Sequence, residues 1–298
     1  MNRLRIAVSA ALALVLCAGC TPDPATTTQP SGTPEPQGQR YPNWPAKLND
    51  FRFQWTADPN IDLTGGPAVP IRAYLESYYV ASFTASPNTV YPGFMRATPE
   101  NDDLDGHYLA QLAWIRPLNG VAAKPEDAPE HFGYMPFHLL RIDRVGDGLR
   151  AIVCQGQYAN FIRSTAQPGK YVAAAASPKT AQLPRDDTGV AVYQLELTQH
   201  DPRIGSDPPP PVPAPQQGPA PAPDQDVFGN WFFTGVSSSF WGPIDAPARE
   251  EFPPLDLVRQ CSDRMPLSAS ERVAMMSGFK DRPPPPGQAT PGWPAKAQ

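Results

Sequence analysis

Proline is the residue that most restricts how this chain can fold, because it fixes φ and has no backbone N–H to donate to a helix or a sheet. There are 41 prolines among the 298 residues. They concentrate in residues 21–40, in residues 207–223 and again from residue 283 onward. Regular elements, and therefore a packed core, are expected between these stretches.

The first twenty residues have the pattern of an export signal. Arg3 and Arg5 precede an uncharged run from Ile6 to Ala18, and small residues then lead to Cys20. As a helix this run would be about 20 Å long, shorter than the roughly 30 Å hydrocarbon core of a bilayer. We therefore interpret residues 1–19 as a signal peptide and Cys20 as the lipidated cysteine of a bacterial lipoprotein. Ordinary secretion and an uncleaved anchor are the alternatives.

The charge of the chain bears on its partners. The formal net charge is −5, and removal of a signal peptide that carries two arginines makes the remaining chain more acidic still. An acidic chain argues against nucleic acid and against electrostatic adhesion to anionic lipid. We therefore expect contact with the membrane through the lipid anchor, and no nucleic acid as partner. Phosphate-cradling loops are absent from the sequence, and no cofactor is expected.

Two cysteines follow Cys20, namely Cys154 and Cys261. In an oxidising compartment two such cysteines pair more often than they remain free. The predicted disulfide closes a loop of about a hundred residues, which contributes about 4–5 kcal/mol in the chain-entropy model. A metal site needs more ligands of this kind than the chain offers.

Shifts in composition divide the chain into six segments. They are the signal peptide (1–19), a lipidated Pro/Thr-rich tether (20–40), an α+β domain (41–205), a polyproline linker (206–226), an aromatic-rich C-terminal segment docked on the domain (227–282) and a loose Pro-rich tail (283–298). The tether has almost no apolar side chains, so it cannot bury enough surface to offset the entropy of ordering.

Apolar spacing predicts one main helix over residues 70–83, with Pro70 at its first turn. Its stripe of large side chains consists of Ile71, Tyr74, Leu75, Tyr78 and Tyr79. We interpret this stripe as core rather than as the wall of a ligand site. Arg72 and Glu76 lie four residues apart on the other face of the helix, where they can pair.

Alternating apolar residues predict strands at 51–55, 137–145, 149–161 and 190–198. The turn Gly146-Asp147-Gly148 joins two of them as a hairpin. Residues 107–116 fit either a helix or a strand, and we interpret them as a helix. A last short helix opens with the capping box Ser268 to Glu271. The predicted fold class is α+β, with a helix packed on a curved antiparallel sheet and a disulfide-pinned C-terminal extension.

Three local patterns resemble functional motifs but lack essential parts. Ser277 and Lys280 have S-x-x-K spacing without the S-D-N and K-T-G elements that this chemistry requires. Residues 101–106 resemble the start of an EF-hand loop, yet Leu112 stands where the bidentate glutamate is needed. The run Gly235 to Ser239 lacks the closing glycine of a nucleophile elbow. We expect structural roles for all three, and no metal site.

The remaining candidates for chemistry are a histidine and an aromatic run. No pair of the four histidines has metal-ligand spacing. His138, in a predicted strand, is the least weak candidate for a general base, with Asp143 as its acidic partner. The aromatic run Phe228 to Trp241 is expected to pack on the domain; stacking on sugar rings or lining an apolar pocket is the alternative. The sequence Trp-Pro-Ala-Lys occurs twice, at 44–47 and 293–296, by coincidence or as paired edge caps.

The lipobox, the tether and the runs Phe132 to Pro136 and Leu197 to Pro202 resemble uncharacterised lipoproteins of the mycobacterial cell envelope. The order of the helix and the strands is similar to that of NTF2-like and cystatin-like folds. The resemblance implies a location outside the cytoplasm and no particular reaction. We predict an exported, lipid-anchored cell-envelope protein that binds or scaffolds a partner protein or an apolar or glycan ligand. The alternative is a small envelope hydrolase or isomerase that uses a cavity in the α+β domain.

Overall fold

A computed structural model describes most of the chain after the tether. The described residues are 44–104, 106–117, 124–184, 188–207, 209–246 and 250–295. The predicted signal peptide, Cys20 and the tether lie outside them. Within the described ranges, no helix has both the length and the hydropathy that crossing a bilayer requires.

The fold is α+β, with few helices packed on a sheet that curls into a half-barrel. The strands are β1 (Phe51–Ala57), β2 (Phe132–Val145), β3 (Gly148–Gly156), β4 (Asn160–Arg163), β5 (Tyr171–Ala173), β6 (Val190–Thr198), β7 (Phe232–Ser237), β8 (Phe240–Trp241) and β9 (Glu250–Glu251). The helices are α1 (Ala68–Thr84), α2 (Leu255–Arg264) and α3 (Ala269–Met276), with three single-turn 3₁₀ helices at Ala46–Leu48, Pro87–Thr89 and Pro202–Ile204.

The main sheet has the strand order β5-β4-β2-β3-β6-β7, all antiparallel, and β1 pairs with β2 in parallel. The predicted turn at Gly146 joins β2 to β3, with Val145 opposite Gly148. Near the start of β2, Gly133 has φ +88°, and a Cβ there would lie 2.2 Å from the Ala159 carbonyl oxygen. Only glycine allows β1, β2 and β4 to meet so closely at this point.

Each face of the sheet carries its own hydrophobic core. The first core lies under α1 and is rich in aromatic side chains. Strand residues alternate between the two faces, so that Val153 and Leu195 enter the first core while Ile152 and Val192 enter the second. A bulge between Leu139 and Arg141 shifts the register of β2 against β3.

The second core lies under α2 and α3, and the predicted disulfide is in it. Cys154 on β3 and Cys261 on α2 form an S–S bond, and both side chains are fully buried. The sequence analysis placed Cys154 within a strand, as observed, but it did not predict the helix that carries Cys261. The last helix begins with the capping box at Ser268 as predicted.

The main helix is longer and more completely buried than the sequence predicts. It begins at Ala68 and ends at Thr84, so Pro70 is its third residue. Its supposed outer face is covered as well, because Arg72 and Glu76 are both buried. Arg72 donates hydrogen bonds to three backbone carbonyls, those of Leu63, Gln216 and Gly292. Both residues of the expected surface pair therefore lie in the interior, and Arg72 bonds to the backbone rather than to Glu76.

The proline-rich C-terminal stretches pack on the core. In the stretch interpreted as a linker, Ala220 and Ala222 belong to the first core. In the stretch interpreted as a tail, Trp293 is 0% exposed and exchanges two backbone hydrogen bonds with Ala220. The aromatic segment supplies β7, which is a strand of the main sheet rather than a part docked on it.

Two local predictions differ from the structure. Residues 107–116 form turns and one isolated bridge from Leu109 to Pro243 instead of a helix. The predicted strand 149–161 is two strands, β3 and β4, separated by a turn. In residues 107–116 the apolar pattern is satisfied by burial of single side chains, such as Ile115, without a continuous element.

Candidate functional site

A cavity of about 160 Å³ lies between α1 and the sheet. The helix contributes Tyr74, Leu75 and Tyr78 to its wall, and β6 contributes Tyr193. The remaining wall is formed by Val236 and Ser237 at the end of β7, by Ser238 and Ser239 in the following turn, and by Ala110 and Trp114 from the turn segment. Elements far apart in sequence therefore converge on one small space.

The tyrosines of this region are neutral donors. The hydroxyls of Tyr79 and Tyr193 are 2.6 Å apart, and the Tyr74 hydroxyl donates to the Ile115 carbonyl at 2.5 Å. Burial raises the pKa of Tyr78 to about 12 and raises the pKa of Tyr74 well above its usual value. All these phenols therefore keep their protons at physiological pH.

Two groups at the cavity are available to a ligand: the hydroxyl of Tyr78 and the indole of Trp114. None of the hydrogen bonds within the described ranges involves the Tyr78 hydroxyl, whereas the Ser238 side chain already bonds to Tyr193. Trp114 lines the cavity and is 47% exposed, so its indole stands at the mouth. A large exposed aromatic beside a cavity is typical of a ligand contact.

A second polar cluster is buried behind α1, around the carboxylate of Glu76. Its Oε1 accepts a hydrogen bond from Trp55 Nε1 at 2.8 Å. Its Oε2 accepts from Trp293 Nε1 at 2.7 Å and from the Tyr91 hydroxyl at 3.1 Å. The Arg72 guanidinium lies over the Trp293 ring, 4.3 Å from its centre. The cluster therefore joins the helix, β1 and the C-terminal segment.

The electrostatics of Glu76 are set by burial. The side chain is 2% exposed, and desolvation raises its pKa from 4.5 to about 7. Arg72 and the three hydrogen-bond donors act in the opposite direction, toward the charged form. Because none of its residues lines the cavity between α1 and the sheet, and its polar groups are occupied with one another, we assign the cluster a structural role.

The predicted pair of His138 and Asp143 does not form. Asp143 is half-exposed and pairs with Arg141 at 3.1 Å. His138 is buried and instead bonds through Nε2 to Asp58 Oδ1 at 3.0 Å and through Nδ1 to Thr56 Oγ1 at 2.9 Å. The sequence analysis did not predict Asp58 as the partner of His138. Asp58 follows β1 and lies 80 positions from His138 in the sequence, and only the pairing of β1 with β2 brings the two side chains together.

The incomplete motifs have structural partners. Ser277 donates to the Val273 carbonyl and Lys280 to the Ala274 carbonyl, both at the end of α3. Of the EF-hand-like residues, Asn101 bonds to the backbone of Arg116; Asp105 lies outside the described residues. Across the described part of the chain, no group of three His, Cys, Asp or Glu side chains is placed to hold a metal ion.

No protein-family model, curated protein or solved structure matches this chain. The chemistry of the site therefore has to be argued from its own residues. The sequence analysis singled out two parts of the cavity wall. It assigned the aromatic stripe of the helix to the core, and it considered serines 237–239 only as an incomplete nucleophile elbow. Nothing in their spacing indicated that they face each other.

Proposed function

We propose that this protein is an exported, lipid-anchored cell-envelope protein whose half-barrel binds a small uncharged ligand without chemical conversion. The proposal of export and anchoring depends on the sequence pattern that ends at Cys20. The proposal of binding depends on one observation, the cavity between α1 and the sheet with an exposed Trp114 at its mouth. Small-molecule sites are concave, mostly apolar and fitted with a few polar groups, as this one is.

The anchor is tested by fractionation of cells that express Cys20→Ala. We expect this variant to move from the membrane fraction to the soluble fraction, because it cannot be acylated and a lipid chain contributes about 0.8 kcal/mol per buried CH₂. Cys17→Ala is the matched control, since Cys17 lies within the predicted signal peptide and its loss leaves the fractionation unchanged. Membrane retention of Cys20→Ala would contradict the anchor.

The cavity is tested with the neutral fluorescent probe N-phenyl-1-naphthylamine, one ring of which can enter the cavity while its other two rings stay at the mouth beside Trp114. We expect its emission to increase on binding to the wild type. Ser239→Trp places a bulky ring at the exposed wall of the cavity and should abolish the increase. Ser206→Trp, at an exposed serine elsewhere, is the control and should retain it. Equal binding by both variants would show that the probe does not use this cavity.

The arrangement around His138 favours a second candidate function, ester hydrolysis. With one proton on Nε2, donated to Asp58, the His138 Nδ1 atom accepts from the exposed Thr56 hydroxyl. Thr56 Oγ1 would attack the ester carbonyl while Nδ1 takes its proton and passes it to the leaving alcohol. Water, deprotonated by the same nitrogen, would then cleave the acyl-threonine, and the proton would return to Thr56.

This second candidate is tested by hydrolysis of p-nitrophenyl acetate. If the wild type hydrolyses this ester faster than the uncatalysed reaction, we expect Thr56→Val to lower the rate to the uncatalysed value. Valine keeps the shape of the threonine side chain and removes its hydroxyl. Thr198→Val, on β6, removes a strand hydroxyl away from His138 and should leave the rate unchanged. A wild-type rate equal to background would eliminate the hydrolase and leave the binding role.

A further inference from the structure

The cavity under α1 restricts the charge of its ligand. Every residue that lines it within the described ranges is uncharged. Burial also keeps the phenols protonated, so the wall offers neither a fixed cation nor an anion. A charged group that entered would lose its hydration without gaining a counter-ion, which is strongly unfavourable. The group that enters the cavity is therefore neutral.

The wall is also too rich in hydroxyls for a purely apolar guest. Three consecutive serines, 237–239, face the tyrosines of α1 and β6 across the cavity. The Tyr78 hydroxyl has no hydrogen-bond partner in the part of the chain that the structure describes, and an alkyl chain would separate it from water. A guest with hydroxyls of its own would satisfy the Tyr78 hydroxyl and can share hydrogen bonds with the exposed Ser238 and Ser239, whereas Leu75 and Val236 would contact its carbon atoms.

The mouth adds a flat aromatic face. Trp114 is 47% exposed, whereas the other five tryptophans of the chain are buried or half-buried. The face of an aromatic ring carries partial negative charge. It attracts the C–H groups on one side of a sugar ring, which carry partial positive charge. An exposed indole, a wall with several hydroxyls and the absence of charge together match the chemistry of a carbohydrate.

We propose that the cavity binds one neutral sugar ring of an envelope glycan, with the ring stacked on Trp114 and hydrogen-bonded to Tyr78 and to the serine turn. This inference rests on the proposed binding function and names its ligand class. The volume of about 160 Å³ is below the roughly 300 Å³ of a site for a drug-sized molecule. The cavity therefore holds a single ring, and the rest of a longer glycan lies outside the mouth.

The experiment is displacement of N-phenyl-1-naphthylamine by neutral monosaccharides: glucose, galactose, mannose, arabinose and N-acetylglucosamine. We expect at least one sugar to displace the probe at millimolar concentration, as befits a single ring. Tyr78→Phe should weaken that sugar about tenfold through loss of one hydroxyl, and Tyr171→Phe should not, because Tyr171 lies on β5 away from the cavity. Trp114→Ala should weaken it more than Trp114→Phe, which keeps a stacking face.

The outcomes separate this inference from the function on which it rests. If the probe binds and Ser239→Trp blocks it, yet palmitic acid displaces it and no sugar does, the cavity takes acyl chains and the sugar assignment is wrong. If the probe never binds at this cavity, the binding function itself fails. If a sugar binds but Tyr78→Phe and Trp114→Ala bind it as the wild type does, the sugar uses another surface and the inference is overturned.

Discussion

The two faces of the sheet hold their helices by different means. On the first face, most residues of α1 are buried, and its position depends on a non-covalent network in which Glu76 accepts hydrogen bonds from Trp55, Tyr91 and Trp293. On the second face, α2 and α3 are short, keep one exposed side, and are tied to the sheet by the disulfide from Cys154 to Cys261. A long buried helix can be fixed by packing alone, whereas short surface helices with a small core need a covalent link.

The largest expected change in the free energy of unfolding comes from a substitution on the first face. Trp293→Ala removes a fully buried aromatic side chain, and with it one donor to Glu76 and the ring beneath Arg72. We expect the free energy of unfolding to fall by about 5 kcal/mol, at the upper end for a core aromatic. Urea unfolding measures it. Trp114→Ala, at an exposed tryptophan, is the control and should cost about 1 kcal/mol or less; equal losses would mean that the C-terminal segment does not close the core.

The second face is tested by removal of its covalent link. In the double variant Cys154→Ala/Cys261→Ala the free energy of unfolding should fall by about 4–5 kcal/mol, because a loop of 107 residues is no longer closed in the unfolded state. Hydrogen exchange should show the amides of α2 and α3 losing protection before those of α1. If α1 loses protection to the same extent at the same time, the two faces are one cooperative unit and the contrast between them is wrong.

Titration sharpens the comparison, because among the residues that the structure describes only the first face contains a buried carboxylate with a raised pKa. Glu76 is easier to ionise in the unfolded chain, so its contribution to stability is complete below about pH 4.5 and is lost as the pH rises through about 7. This loss amounts to about 3 kcal/mol. Glu76→Gln should remove this pH-dependent loss of stability. Urea unfolding at several pH values measures the free energy of unfolding of both proteins.

The control for this titration is the difference between the variant and the wild type at each pH. It is needed because burial lowers the pKa of His131 from 6.5 to about 4, which makes stability increase with pH over part of the same range. The difference curve isolates Glu76. A difference that does not change between pH 4.5 and 8 would show that Glu76 keeps the same charge in the folded and unfolded states over that range.

The smallest expected change in stability is that from loss of the ion pair between α2 and Asp58, the residue that follows β1. Arg264 Nε lies 3.2 Å from Asp58 Oδ1, but half of the arginine side chain is exposed. Arg264→Ala should therefore change the free energy of unfolding by about 0.5 kcal/mol or less. A loss comparable to that of the double cysteine variant would mean that charge, rather than the disulfide, holds α2 on the sheet.

Short-range patterns gave good predictions where the structure is local. The strand at 190–198, the hairpin turn at Gly146 and the capping box at Ser268 all formed as expected. Residues 107–116 did not form a helix, because alternation of single apolar residues is satisfied equally well by turns that bury them one at a time. For the candidate site, the sequence supplied the residue types but not their convergence.

The repeated sequence Trp-Pro-Ala shows where local information ends. Trp44 donates its indole N–H to the Leu48 carbonyl, four residues away, whereas Trp293 donates to Glu76, 217 residues away. The same three residues therefore have different roles in the two places. Likewise, Asp58 rather than Asp143 bonds to His138, because pairing of β1 with β2 decides which carboxylate is near.

The chain by itself determined its main helix, its four longest strands, its fold class and its cysteine pair, because these depend on the spacing of apolar residues and on a count of thiols. Only the tertiary structure decided that both faces of α1 are covered, that the proline-rich C-terminal segment closes the core, and that tyrosines and serines face each other across a cavity. Spacing along a sequence reports which side chains share a face of one element. Which faces meet depends on contacts between distant segments, and these form only when the whole core packs.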